Sequence, residues 1–255
     1  MTELNATALT VTAGGHTLLR DADLSLKPRE FVVVLGANGA GKTSLVRAAL
    51  GLLDVDSGIS QIGGDDVQRL TSMQRARRVA YLPQVRPLAW PSTVRDVVAL
   101  GRFSHGAAMG RLKPADAAAV DDALTACDLV ALAARRTDTL SGGELARVHS
   151  ARAFAAQAPL LIADEPMASL DPRHQFRMMD LMQSFVKRGG GVLVVAHDIA
   201  IAARYATRLV WMKAGRVVAD GAPTQTLTEA RVEDVYGIAA RIDGREVMVK
   251  GLAPS

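Results

Sequence analysis

The apolar run Phe31-Val32-Val33-Val34-Leu35 passes directly into Gly36-Ala37-Asn38-Gly39-Ala40-Gly41-Lys42-Thr43, and then into Ser44-Leu45-Val46. A β-branched run feeding G-x-x-x-x-G-K-[ST] is a strand, a phosphate loop and the opening of a helix. Glycines at 36, 39 and 41 let the backbone turn tightly and aim successive N–H groups inward, which makes a concavity for anions. The helix that follows adds its positive N-terminal end. In this pattern Lys42 reaches the β- and γ-phosphates of a nucleotide, and the Thr43 hydroxyl ligates Mg²⁺. The stretch predicts a nucleotide site on an α/β scaffold.

The rest of the chain reads outward from that strand. Residues 7–27 alternate apolar and polar around Gly14-Gly15, which predicts an antiparallel hairpin. A helix is expected over 42–50, ending at Gly51. Residues 52–70 are turn-rich with short strand-like pieces, and Val79-Ala80-Tyr81-Leu82 reads as a buried strand closed by Pro83-Gln84. Residues 92–134 are alanine-rich and helical in pattern, broken by Gly101, Gly106, Gly110 and Pro114. They read as a helical lobe inserted into the α/β core. Helices over 142–156 and 172–187 lead into buried strands over 160–163 and 192–196. This alternation predicts a mostly parallel sheet covered on both faces. The expected organisation is one domain over 1–255. Residues 1–84 and 157–221 form the core with an N-terminal antiparallel β subdomain, 85–145 a helical subdomain and 222–255 a C-terminal extension. Nothing in the sequence explains the β-ribbon expected around Asp243-Gly244.

Two acidic residues close the strand Leu160-Leu161-Ile162-Ala163. From a buried strand, Asp164 emerges at the carboxyl edge beside the phosphate loop, where it can hold Mg²⁺ through water. Glu165 lies one residue further, placed to polarise an attacking water. Composition removes other functions. The net charge is +4, and the densest basic run, Arg75-Ala76-Arg77-Arg78, reads as a solvated helix face, so no nucleic-acid partner is expected. One cysteine, Cys127, fits a reducing compartment. No leader is visible at Met1-Thr2-Glu3-Leu4, and no apolar run approaches the ~20 residues of a membrane span. The expectation is a soluble, cytoplasmic chain.

Leu140-Ser141-Gly142-Gly143-Glu144 separates this chain from other phosphate-loop proteins. Placed after a helical lobe and before Asp164-Glu165, it resembles the signature of ABC-transporter ATPases, and further motifs of that family follow in order. Gln84 matches the glutamine that senses the γ-phosphate and the transmembrane partner. Ser169-Leu170-Asp171 matches the loop that crosses the dimer, and His197 matches the switch histidine. The resemblance runs from about residue 4 to 237 and implies a phosphate-loop NTPase that hydrolyses Mg²⁺-ATP. Two copies would pack head to tail, each ATP lying between one copy's phosphate loop and the other's Ser141-Gly142-Gly143-Glu144. Catalysis would rest on Glu165, His197 and Gln84, nucleotide binding on residues 36–44, 141–144 and Asp171, and metal binding on Thr43, Gln84 and Asp164.

Val97-Val98-Ala99-Leu100-Gly101-Arg102-Phe103-Ser104-His105 resembles a stretch of importer ATPases serving iron–siderophore, haem and cobalamin uptake, with Ser104 in place of the usual proline. This implies a motor on the cytoplasmic face of the inner membrane, docked on a permease dimer and serving a periplasmic binding protein indirectly. An iron–siderophore cargo is the first expectation, with haem and cobalamin as alternatives. A soluble ATPase of DNA maintenance or translation would need coiled-coil insertions or a second ATPase unit. A nucleotide-holding regulatory module would not need intact Glu165 and His197. The apolar loop Val85-Arg86-Pro87-Leu88-Ala89-Trp90-Pro91 is a candidate docking groove. His149, His174 and the methionines read as packing or surface residues. Three positions depart from the family pattern: Glu144 replaces the commoner glutamine, Arg29 stands at a usual turn glycine, and Ala13 stands where an aromatic normally stacks on adenine. His16 is a candidate substitute ring.

Overall fold

The computed structural model describes residues 2–84, 91–107, 110–168 and 170–253. Strands β1 (Leu4–Ala13) and β2 (His16–Leu26) form the expected hairpin, with Ala13 opposite His16 at its end. The chain then enters β3 (Phe31–Gly36) and helix α1 (Lys42–Ala49). Between β2 and β3 sits Arg29, exposed and left-handed at φ 65°. Arg29 thus adopts a backbone conformation that favours glycine. Strands β4 (Ser57–Ile62) and β5 (Asp65–Asp66) complete a four-stranded antiparallel sheet in the order β2-β1-β4-β5.

Helix α2 (Ser72–Arg78) carries the basic run and leads into β6 (Val79–Leu82). Helices α3 (Val94–Ala99) and α4 (Pro114–Ala126) follow, then α5 (Gly142–Ala155) and β7 (Leu160–Asp164). Next come α6 (Pro172–Lys187), β8 (Gly191–Val195), α7 (Ile199–Tyr205), β9 (Arg208–Lys213) and β10 (Arg216–Gly221). The second sheet has six strands in the order β10-β9-β3-β8-β7-β6. All neighbours in it are parallel except β10, which runs antiparallel to β9. The chain ends in α8 (Pro223–Thr226), α9 (Glu229–Tyr236) and a ribbon of β11 (Ile238–Asp243) and β12 (Glu246–Leu252).

Strand pleating divides the apolar residues of β3 between two cores. Val32 and Val34 face the antiparallel sheet and α1, while Phe31, Val33 and Leu35 face α6, α7 and α9. A strand buried on both faces has no polar alternate, which is why β3, β7 and β8 read as continuous apolar runs. The helical lobe has its own cluster, built from α3 and α4 around Val94, Val98, Val120 and Leu124. It takes Val148, Ala151 and Ala155 from α5, so its packing runs beyond the lobe edge expected at residue 145.

Two hydrogen-bonding residues hold the lobe to the end of α5. Arg102, buried, donates Nε to Asp116 Oδ1 at 2.8 Å and Nη1 to the Ala155 carbonyl at 2.9 Å. His105 Nε2 lies 2.9 Å from the Ala156 carbonyl. In this chain, then, the Val97–His105 stretch ties the lobe to the C-terminal end of the signature helix.

Candidate functional site

Strands β3, β8, β7 and β6 are consecutive in the sheet, so their carboxyl ends share one edge. That edge is where open α/β sheets bind ligands. Gly36 ends β3, and a Cβ there would lie 2.5 Å from the Met212 carbonyl oxygen. Gly41 precedes α1 at φ 98°, with the Leu18 carbonyl 2.8 Å from where its Cβ would be. Both positions exclude a side chain. The β9–β10 turn braces the loop, since Gly215 N donates to the Ala40 carbonyl at 3.0 Å and Arg20 N donates to the Gly215 carbonyl at 2.9 Å.

Lys42 is buried, and its Nζ donates to the carbonyls of Gly36 at 2.7 Å and Ala37 at 3.0 Å. Burial holds its pKa below the usual range, opposed by the carboxylates of Glu165 and Asp164. Thr43 Oγ1 donates to Asp164 Oδ1 at 3.2 Å, and Asp164 is fully buried at the end of β7. A hydroxyl beside a carboxylate is the hard-oxygen donor set that suits Mg²⁺.

Glu165 is the next residue, in a left-handed conformation at φ 49° with its N–H on the Val195 carbonyl at 3.1 Å. Non-glycine residues seldom adopt that region, and such outliers cluster at functional sites. Both carboxylate oxygens are engaged. Gln84 Nε2 donates to Oε2 at 2.7 Å, and His197 Nε2 lies 2.6 Å from Oε1. Residues from the ends of β6, β7 and β8 thereby meet on one carboxylate.

A cavity of about 480 Å³ opens above this edge. Residues 38–44, Gln84 and Glu165 line it, together with Thr17, Leu18, Arg20 and the Ala214-Gly215 turn. Gly36 and Ala37 are not on its wall. His197 lines a smaller space of about 120 Å³ behind Glu165. Ala13 and His16, both exposed, are not on the wall of the main cavity.

The signature lies elsewhere on the chain, and residues 141–144 do not line this cavity. Ser141 is the N-cap of α5. Its Oγ accepts from Glu144 N at 3.2 Å, and Glu144 Oε2 accepts from Ser141 N at 2.8 Å. This is a capping box, which glutamate and glutamine both satisfy, so the departure at Glu144 is structurally neutral. The Ser141 N–H holds the Glu144 carboxyl below its usual pKa range. A Cβ on Gly142 would meet no atom within 4 Å, so the fold of a single chain makes no demand for glycine there. Asp171 is the N-cap of α6, its side chain accepting from His174 N at 2.9 Å. Ser169 and the docking-loop residues 85–90, including Trp90, lie outside the described residues.

Of the residues expected at the site, Lys42, Thr43, Asp164, Glu165, Gln84 and His197 converge. Thr17, Leu18, Arg20 and the Ala214-Gly215 turn join them without any motif in the sequence to announce them. The only trace of the latter is a glycine turn between two apolar runs.

A family model described as ABC transporter matches residues 19–168, more than half of the chain. Over 234 residues the chain is 40% identical to the hemin import ATP-binding protein HmuV of Rhodococcus jostii (strain RHA1), covering 92% of this chain and 80% of that one. It is 41% identical over 234 residues to the cobalamin import ATP-binding protein BtuD of Halobacterium salinarum, covering 91% of this chain and 58% of that one. A solved dimeric ATP-binding cassette in a post-hydrolysis state, bound to ADP and Pi, superposes with a TM-score of 0.74 at 26% identity, covering 87% and 98% of the two chains.

Proposed function

This chain belongs to the ABC transporter family and is an ATPase of that family, and on that premise we propose that it is the ATP-hydrolysing subunit of a metal-chelate importer whose cargo is haem. The observation that carries the catalytic reading is the bridged carboxylate: Glu165 held by Gln84 and His197 beside the phosphate loop. In this reading Glu165 takes the proton of the attacking water, while Gln84 and His197 hold its two oxygens in place. Lys42 and the loop N–H groups bind the phosphates. Thr43 and Asp164 would hold Mg²⁺, with the Gln84 amide oxygen as a further ligand. The metal, when bound, neutralises phosphate charge.

Ser141 and the open face of Gly142 support a second copy as the partner. In a head-to-tail pair they would close the partner's cavity with a hydroxyl and the N-terminus of α5, and Asp171 would lie at the same seam. Docking on a membrane permease is supported by a groove of about 490 Å³ between α2, the turn after α3, and α5. It exposes Phe103 (66%), Met73 (46%) and Leu100 (36%), an apolar patch suited to a helix of the permease. Among the described residues no helix is long and apolar enough to cross a membrane. In the importer reading the chain would sit peripherally on the cytoplasmic face of the inner membrane, and a periplasmic binding protein would engage the permease, not this subunit. The relatives named for hemin and cobalamin import support a tetrapyrrole cargo over the siderophore expected first.

Glu165→Gln tests the assignment, because the amide keeps the size and one acceptor oxygen but cannot take a proton. ATP should bind and hold a dimer visible by size-exclusion chromatography, with turnover reduced by ~10²–10⁴. Turnover above about a third of wild type, or ATP that produces no dimer, would overturn the reading. Haem uptake, set against ferric-siderophore uptake in cells deleted for the gene, decides the cargo.

A further inference from the structure

The C-terminal extension, unexplained by the sequence, reaches the start of the phosphate loop at one point and the far end of helix α7 at another. Tyr236, the last residue of α9, accepts a hydrogen bond from Gly36 N through its hydroxyl at 2.9 Å. The last β3–β8 pair is Val34 with Val195, so at Gly36 a side chain takes over from that strand ladder. The Gly36 carbonyl in turn accepts from Lys42 Nζ at 2.7 Å. One residue therefore links the Tyr236 hydroxyl to the ammonium that binds phosphate.

The ring is held independently of its hydroxyl. It packs edge-on against the buried Trp211, with centroids 6.4 Å apart and planes at 80°. Val232 and Val235 sink α9 into the core, and Lys213 Nζ pairs with Asp234 at 2.7 Å on its outer side. Burial, reinforced by the Asp198 carboxylate, pushes the phenol up to about 12, so it is a neutral hydroxyl at working pH. Further on, Arg245 Nη1 donates to the carbonyls of Ala203, Arg204 and Ala206 at 3.0 to 3.1 Å. These are the C-terminal carbonyls of α7, the helix whose N-cap, Asp198, follows His197.

We propose that the C-terminal segment braces the ATP site, with Tyr236 as a positioning residue that sets the start of the phosphate loop and, through Gly36, the placement of Lys42. The inference rests on the ATP-site reading above and concerns nucleotide affinity, not the chemical step. Arg245 is the second attachment, holding the far end of the switch helix.

The test is Tyr236→Phe in the full chain, which keeps the ring against Trp211 and removes the acceptor. Titration with a fluorescent ATP analogue in Mg²⁺ buffer should show a Kd raised about three- to tenfold, the share of the lost hydrogen bond that ATP binding must supply to bring Gly36 and Lys42 back into place. The kcat should change less than about twofold, because the chemical step does not pass through this hydroxyl. Hydrogen exchange of the Gly36 amide should speed up in the same variant. Arg245→Ala, which leaves Tyr236 in place, should raise Kd in the same direction by a smaller factor, and it carries the test should the Phe variant not fold. A normal Kd in both variants, with Gly36 exchange unchanged in any folded Phe variant, would overturn the brace; so would a lowered unliganded melting temperature without a change in Kd. Lys42→Ala separates the two levels. If wild type and Lys42→Ala both fail to bind the analogue, the ATP-site reading falls. If wild type binds, Lys42→Ala does not, and both Tyr236→Phe and Arg245→Ala match wild type, only the brace falls.

Discussion

Arg102→Met removes the charged centre of the joint between the helical lobe and the end of α5 while keeping side-chain bulk. Arg102 and Asp116 are 7% and 8% exposed at the side chain, so little solvent screens the pair. Breaking a buried pair by removing one partner typically costs ~3–5 kcal/mol, because the remaining charge is left desolvated. The Ala155 carbonyl and Gln157 Oε1 also lose their Arg102 donors, now at 2.9 and 3.1 Å. Two offsets act against this. Asp116 lies in the first turn of α4, where the helix dipole favours a negative charge by ~0.3–1 kcal/mol. The neighbouring Ala156 carbonyl also keeps its His105 partner. A net loss of about 4 kcal/mol follows, which for a chain of this size is a fall in Tm of roughly 8–16 °C. The double variant Arg102→Met/Asp116→Leu should recover most of it, since replacing both charges with apolar groups is often near neutral. Urea unfolding followed by circular dichroism measures wild type, Arg102→Met, Asp116→Leu and the double variant, and the coupling is the departure of the double from the sum of the two singles. A single variant that loses less than about 1 kcal/mol, or a double variant as unstable as the single, would refute desolvated charge as the basis of the joint.

Arg29→Gly should stabilise the chain by about 0.5–1 kcal/mol, since relief of a left-handed non-glycine residue (~1–2 kcal/mol) exceeds the added entropy of glycine in the unfolded chain; a lower urea midpoint would contradict this. Cys127 gives a prediction in pH. Burial pushes its thiol from 9.0 up to about 12, against the opposing pull of Arg147. The folded state keeps the proton that the unfolded chain releases, so this contribution to stability is full below pH 9 and declines as pH rises toward 12. Iodoacetamide at pH 8 should modify Cys127 only after denaturation, and fast stoichiometric labelling of the native chain would contradict the burial.

The parts of the site that were legible in the sequence are those whose chemistry lies within consecutive residues. The phosphate loop is one, because strand, glycine turn and helix start follow each other from Phe31 to Val46. The Asp164-Glu165 pair at the end of β7 is another. That Gln84 and His197 hold opposite oxygens of one carboxylate is a different kind of fact, since they stand 81 and 32 positions from Glu165. Only the strand order β3-β8-β7-β6 brings those three strand ends together, and a resemblance in motif order cannot supply that geometry. The reach of the lobe's packing is hidden for the same reason: the signature starts a helix at Gly142, but which core that helix enters depends on Val148, Ala151 and Ala155 meeting α3 and α4. Tyr236 is the extreme case. In the sequence it is one aromatic in a short helix near the chain end, 200 positions from Gly36, with nothing nearby to mark it. Its partner is a backbone N–H, which leaves no trace in residue type, so only the packing of α9 over the carboxyl edge of β3 and β9 could reveal it. The same holds for Arg29 in reverse. Its backbone is left-handed at φ 65°, a conformation that favours glycine, so the departure from pattern marks a strained turn.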